Sequence, residues 1–195
     1  MDARVTEFQC IMPIANILSI LAHGILSHAR VAKLEHKSVA LEAVQDKRAV
    51  KQVPNGLRLH QYANLYFHAR NPMMFKRKGE ADSLCVLRID RAIVNLPGVV
   101  LSDQNAASDY VRFLAVSQDR LLDYDDIFAM DWRHPNDQIA QWRHASRKCA
   151  ECLVPRCVER RWLTGAYVVD AAARGRLTAA GFTLPITVDT SLFFR

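Results

Sequence analysis

Lys148-Cys149-Ala150-Glu151-Cys152-Leu153-Val154-Pro155 is one of two stretches on which the fold turns; Tyr62-Ala63-Asn64-Leu65-Tyr66-Phe67-His68-Ala69-Arg70-Asn71-Pro72-Met73-Met74 is the other. In the first, Glu151 opens an apolar run that reads as a strand leading into Pro155. In the second, Leu65 to Ala69 reads as a strand, Arg70 stands at its end and Pro72 stops it. An arginine and a glutamate brought together from two distant strand ends suit chemistry on a cationic, phosphate-rich cofactor. A guanidinium holds phosphate as a fork, and a carboxylate beside a ribose hydroxyl stabilises a developing oxocarbenium ion.

The elements around these stretches alternate between helix and strand. Ile14, Ile17, Leu18, Leu21 and Ile25 recur with a helical period, and Gly24 caps that helix near His23. Ala29 to Val53 is polar with weak period, either a mobile loop or a helix near Ser38 to Val50. Pro54-Asn55-Gly56 marks a turn. Strands are expected at Leu84 to Ile89, Val99 to Ser102, and around Trp162 and Tyr167 to Val169. Asp103-Gln104-Asn105 is a turn, and Ala106 to Leu114 is expected to form a short helix. Ile139 to Lys148 and Ala171 to Ala180 are helical, the latter closed by Gly181. The tail from Phe182 to Phe194 is β-rich in composition but finds no place in this reading.

A chain of 195 residues, half of them apolar, can bury a sizeable core and is expected to form one domain over 1–195. No apolar stretch is long enough to span a bilayer, because Ile11 to Leu26 is broken by Pro13, Asn16, Ser19, His23 and Gly24. That segment also lacks the basic start of a signal peptide, and the five cysteines show no paired framework, so a cytoplasmic location is expected. The net charge of +6 is uneven. Arg143, Arg147, Lys148, Arg156, Arg160 and Arg161 face only Glu151 and Glu159 between positions 143 and 161. A polyanion is a fair partner for such a segment, and a solvated face is the plain alternative.

Each motif has an ordinary reading beside its functional one. The helix ending in His23-Gly24 is by itself an amphipathic core helix, with Asn16 as a cap or a ligand contact. The Tyr62 to Met74 string is by itself an aromatic core strand, although its rings could sandwich a heteroaromatic base. Cys149-x-x-Cys152 with Cys157 and His144 makes zinc conceivable, but the second cysteine pair is missing, so buried thiols or a redox pair read better and no metal is expected. Gly-rich phosphate loops, H-E-x-x-H and G-x-S-x-G are all absent.

Four strings in order, Asn16 to Leu26, Leu59 to Met73, Ser102 to Phe113 and Trp142 to Pro155, resemble those of the DarT family of DNA ADP-ribosyltransferase toxins. The likeness spans about residues 8 to 170. It implies an α+β chain with the ADP-ribosyltransferase fold, a split central β-sandwich with flanking helices. It further implies an enzyme that uses NAD as substrate to ADP-ribosylate a base in single-stranded DNA, releases nicotinamide, and is paired with a macrodomain antitoxin, DarG. On this resemblance Glu151 and Arg70 are the catalytic residues. Asn16, Gly24, His60, Tyr62, Tyr66, Arg70 and Met73 line the NAD pocket, and Arg112, Arg143, Arg147 and Lys148 meet the DNA. Pro13 stands where the family has a histidine, His60-Gln61-Tyr62 replaces His-Asp-Tyr, and Asn64-Leu65 replaces Pro-Phe. The rival readings are a transferase of the same fold acting on RNA or protein, and a non-enzymatic basic nucleic-acid-binding module.

Overall fold

Among the described residues, one register pair, at residue 9, joins the two halves of the central sheet. The computed structural model describes residues 1–32, 34–38 and 42–194, the side chain of residue 42 aside. The strands are β1 (Glu7–Pro13), β2 (Ile25–Leu26), β3 (Tyr62–Tyr66), β4 (Leu84–Asp90), β5 (Val100–Ser102), β6 (Phe113–Ala115), β7 (Glu151–Pro155), β8 (Cys157–Val158), β9 (Leu163–Val168) and β10 (Ile186–Val188). The α-helices are α1 (Ile17–His23), α2 (His28–Val31), α3 (Glu42–Ala49), α4 (Pro72–Lys76), α5 (Tyr124–Phe128), α6 (Gln138–Arg147) and α7 (Ala171–Ala179). Eight strands form one sheet in the order β10-β9-β4-β1-β3-β7-β5-β6, and β2 pairs separately with β8. Among the described strands, β9 and β10 are the one parallel pair.

The architecture is α+β, with the sheet split between β1 and β3. β1 and β4 pair over seven residues, from Glu7↔Asp90 to Pro13↔Leu84. β3 and β7 pair over five, from Tyr62↔Pro155 to Tyr66↔Glu151. Between the two halves the single register pair is Gln9↔Tyr66. Beyond it the Gln9 side chain takes over, its Oε1 accepting the Ala69 N–H at 2.7 Å. The strands that part on the other side of this joint leave room for a ligand.

Several expectations meet their physical reasons here. β1, unplaced from sequence, is buried along nearly its whole length because it lies between two strands and under two faces, which removes the period-two alternation. α1 ends at Gly24 as expected, with φ +79 and the Gly24 N–H bonded to Ile20 O. A side chain at Gly24 would also strike Val158 O, 2.4 Å from where its Cβ would sit. The strand expected over Leu65 to Ala69 lies earlier, at Tyr62–Tyr66. The helix expected over Ala106 to Leu114 does not form: Asn105 Oδ1 takes the Ala107 N–H and Asp103 Oδ1 takes the Arg112 N–H, so the chain turns and returns as β6. A helix in the Ser38 to Val50 region is present as α3; residues 39–41 of that expectation lie outside the described residues. The tail adds β10 beside β9 and buries Leu192 and Phe193.

Candidate active site

Glu151 enters the sheet at the split. The C-terminus of α6 turns through Lys148 and Cys149, whose N–H groups bond His144 O and Ser146 O, and delivers Glu151 as the first residue of β7. There it lies between Tyr66 on β3 and Ser102 on β5. Ser102 Oγ accepts the Glu151 N–H at 3.2 Å and donates to Gln104 O at 2.7 Å. The carboxylate is 2% exposed. A buried carboxylate needs a cation and hydrogen bonds. Arg48 of α3, itself 6% exposed, supplies Nη1 at 3.0 and 3.1 Å from the two oxygens. The Ala106 N–H donates to Oε1 at 3.0 Å.

Arg48 also divides the space around the pair. A cavity of about 240 Å³ lies over Cys10, Met12, Tyr66, Met73, Lys76 and Glu151. A second of about 150 Å³ lies over Asn16, Gly24, His28, Lys37 and Tyr62. Arg48, Gln45, Asn64 and Met12 line both, so an extended ligand with two parts can thread past the arginine. Gln45 Oε1 is buried here with no hydrogen-bond partner among the described residues.

The other titratable side chains of the first cavity are not nucleophiles at neutral pH. Burial pushes the Cys10 and Cys149 thiols up to about 12. Burial, with the Glu151 charge beside it, raises the Tyr66 phenol well above its usual range. That leaves Glu151, Arg48 and Lys76 as the charged groups lining this cavity. The thiols are inert here, and no cluster of three metal-ligating side chains occurs among the described residues.

The structure gathers some of the expected site residues and disperses others. Tyr66 and Met73 line the first cavity, and Asn16, Gly24 and Tyr62 the second. The Asn16 amide is spent on the chain itself: it donates to Lys37 O at 2.8 Å and accepts the Lys37 N–H at 3.0 Å, so it holds residues 34–38 over the cavity. His60 lines neither cavity and stacks behind His28, with ring centroids 4.1 Å apart. Arg112, Arg143 and Arg147 border a separate groove.

Two of the expected site residues make other contacts in this structure. Arg70 does not reach Glu151. Its Nε donates to Met130 O at 3.2 Å, its Nη1 donates to Ser191 O, and its guanidinium lies 3.9 Å from the Phe194 ring centroid. It therefore ties the loop after α5 to the tail. Strand β3 ends four residues before it, which is enough to swing the side chain away from the split. Lys148, expected at the DNA, is 0% exposed. Its Nζ donates to Ile127 O at 2.8 Å and Ala129 O at 2.6 Å and sits 3.3 Å from His68 Nδ1. Burial lowers its pKa to about 8. Lys148→Met should strip two buried carbonyls of their donor and destabilise the fold by about 1–3 kcal/mol for each. It should leave the salt dependence of oligonucleotide binding unchanged, because no phosphate contact is lost. Urea midpoints and a salt series read the two effects; a flattened salt slope would return Lys148 to the nucleic acid.

Beside Lys148, His68 is held neutral. Burial, then Lys148, then Arg70 lower its pKa to about 4 from an ordinary 6.5. The unfolded chain binds the proton that the native state refuses, so stability falls as pH drops from about 6.5 to about 4 and this contribution levels off below. Melting curves across that window should show a shallower fall for His68→Gln than for the parent chain. Parallel curves would remove His68 as the cause.

Sequence reasoning did not find Arg48. It sits in a polar segment of weak period, one cation among 26 lysines and arginines, and nothing local marks it as buried. The one available signal was indirect: a glutamate opening an apolar strand must find a cation somewhere.

Comparison with known proteins follows the same lines. The family model described as "ssDNA thymidine ADP-ribosyltransferase, DarT" matches residues 10–194. A Thermosipho africanus (strain H17ap60334) protein, named a DNA ADP-ribosyl transferase-DNA ADP-ribosyl glycohydrolase fusion protein, is 30% identical over 208 residues, covering 100% of this chain and 51% of its own length. The chain thus spans about half of that curated relative. The fold is similar to Thermus sp. 2.9 DarT in complex with ADP-ribosylated ssDNA, with TM-score 0.85, 20% identity and 97% of each chain covered. It is also similar to Thermus sp. 2.9 DarT in complex with NAD+, with TM-score 0.81, 19% identity and 100% of each chain covered.

Proposed function

The chain belongs to the DarT family of ssDNA thymidine ADP-ribosyltransferases, and on that premise we propose that it transfers ADP-ribose from NAD to a base of single-stranded DNA and releases nicotinamide. The observation that carries this reading is the buried Arg48–Glu151 pair at the split of the sheet, with a cavity on either side. A dinucleotide suits two compartments joined past an arginine. Gln45 Oε1, buried and without a hydrogen-bond partner among the described residues, suits a hydroxyl or amide donor of such a ligand.

In this reading Glu151 is the catalytic carboxylate. It stabilises the cation that develops at the ribose carbon as the bond to nicotinamide breaks. The Ala106 N–H and Arg48 hold the carboxylate in place, so little reorganisation is needed at that moment. Arg48 takes the part first given to Arg70, with its fork directed at the dinucleotide, and Lys76 adds positive charge on the far wall. Tyr66 and Met73 pack the ligand. A single strand is the favoured acceptor because a base in duplex must first be flipped out, at a cost of a few kcal/mol. A DNA ADP-ribosyl glycohydrolase that reverses the modification is the expected partner, as the name of the fusion relative implies, and the cytoplasm, where NAD and DNA are both present, is the expected location.

The test is incubation with NAD and single-stranded oligonucleotides with and without thymidine, read by intact mass spectrometry. One added ADP-ribose on thymidine-containing strands is expected. Release of nicotinamide with no adduct on any oligonucleotide would reject DNA as the acceptor.

A further inference from the structure

Gln9 and Glu7 are polar side chains of β1 that are only 7% and 8% exposed, and neither lines the cavity at Glu151. Polar groups buried this way need partners. The Gln9 Nε2 donates to Glu7 Oε1 at 3.0 Å. Glu7 Oε2 accepts from Arg88 Nε of β4 at 2.6 Å, and the Tyr167 hydroxyl of β9 bonds the same carboxylate. On its other side Gln9 Oε1 accepts the Ala69 N–H at 2.7 Å. An apolar side chain at position 9 would meet the demands of burial at lower cost. What the amide adds is a connection.

That connection runs on to the first cavity. Ala69 O accepts the Asn71 N–H at 2.8 Å. Asn71, fully buried, caps α4 by accepting the Met73 and Met74 N–H groups at 3.0 and 3.1 Å. Pro72, Met73 and Lys76 of α4 form one wall of the cavity, and Cys10, Ile11 and Met12 of β1 form another. Gln9 therefore ties two walls together where β1 leaves β3. It also shares a register row with the reacting residue, since Gln9 pairs with Tyr66 and Tyr66 with Glu151. One backbone register pair by itself can act as a hinge. A second tie three residues on, from Gln9 to Ala69, fixes the angle between β1 and the segment that leads to α4.

We propose that Gln9 is a positioning residue for the reaction: through Ala69 and Asn71 it sets the width of the first cavity, and Glu7, held by Arg88 and Tyr167, keeps the Gln9 amide turned the way this requires. The inference rests on the reading of that cavity, which holds Glu151, as the seat of the reacting end of NAD. The orientation matters because the two ends of an amide differ. An ionised carboxylate only accepts, so Glu7 must face the amide NH2, and this turns Oε1 toward the Ala69 N–H. A substrate misplaced by about 1 Å reacts on the order of a hundredfold more slowly, so a wall displaced by part of that distance is felt in turnover.

Calorimetry with NAD and the kinetics of nicotinamide release test this on three variants. Gln9→Leu nearly keeps the volume and loses both bonds. At a temperature where circular dichroism shows it folded, its Kd for NAD should rise on the order of tenfold and its kcat fall by a similar factor. Gln9→Glu sets two carboxyl groups roughly 3 Å apart, and these cannot both ionise. Arg88 and Tyr167 favour the charge on Glu7, Asp189 acts on Tyr167 from beyond, and His68 beside Ala69 is neutral above about 4, so the shared proton belongs on residue 9. With that proton the new carboxyl donates to Glu7 and accepts from Ala69 as the amide did. Relative to the parent chain, NAD affinity of Gln9→Glu should be nearly restored at about pH 5 and fall on the order of tenfold by about pH 8. Glu7→Gln combined with Gln9→Glu exchanges donor and acceptor at unchanged net charge, and should recover parental affinity and turnover at both pH values. A folded Gln9→Leu chain that handles NAD as the parent does would overturn the proposal, and so would a Gln9→Glu chain whose relative affinity ignores pH. Should Gln9→Leu not fold, the pH series and the exchanged pair decide. A parent chain that neither binds nor cleaves NAD would reject the dinucleotide reading itself, and this inference with it.

Discussion

Glu151→Gln should abolish transfer, lowering its rate on the order of a hundredfold or more, while NAD still binds. The loss follows from the chemistry. An amide keeps the shape and the acceptor oxygen for the Ala106 N–H, but not the charge that faces the developing cation. Binding survives because Glu151 is one of 16 residues around the first cavity, and Arg48, Gln45 and Asn64 still border both compartments. The substitution leaves the Arg48 guanidinium without its carboxylate. Arg48 is 6% exposed, so the variant should also lose on the order of 3–5 kcal/mol of stability, read from its melting curve, and the NAD measurements are made below that melting range. Single-turnover transfer to a thymidine-containing oligonucleotide, alongside calorimetry with NAD, separates chemistry from binding. A Glu151→Gln chain that modifies DNA at the parental rate would take Glu151 out of the reaction.

The second large effect is expected at Arg48, and it distinguishes two arginines that sequence alone ranks the other way. Arg48→Ala removes the cation from a carboxylate that is almost wholly buried. Leaving such a charge unpaired costs about 3–5 kcal/mol, so the variant should melt earlier and lose both NAD binding and transfer. Arg48→Lys should recover the stability in large part but not the activity, because an ammonium cannot hold a phosphate and a carboxylate as a fork does. Arg70→Ala, in contrast, should keep NAD affinity. Its effect should be on stability, through the loss of the ties to Met130 O, Ser191 O and Phe194. Calorimetry with NAD on all three variants, together with their melting temperatures, gives a direct ranking. NAD binding lost in Arg70→Ala but kept in Arg48→Ala would reinstate Arg70 at the dinucleotide.

What the sequence by itself determined was local. The helix stopped by Gly24, the strand at β4, the strand opened by Glu151 and the helix α7 closed by Gly181 all follow from periodicity and punctuation within a dozen residues. So did the family, because its four strings are read in order along the chain. The partners that only tertiary structure could choose lie far apart. Arg48 and Glu151 are 103 residues apart, and the contact depends on how α3 settles over a split in the sheet that no local pattern announces. β1 escaped notice because burial on both faces erases alternation. The hairpin turn from Asp103 to Arg112 competes with a helix through side-chain bonds that only β5–β6 pairing makes worthwhile. Arg147 and Lys148 show the limit most plainly. They are adjacent and both cationic, yet one borders an open groove and the other is sealed under the carbonyls of Ile127 and Ala129. A helix that ends between them rotates successive side chains to opposite sides, and burial, decided by everything packed around that end, assigns each its role.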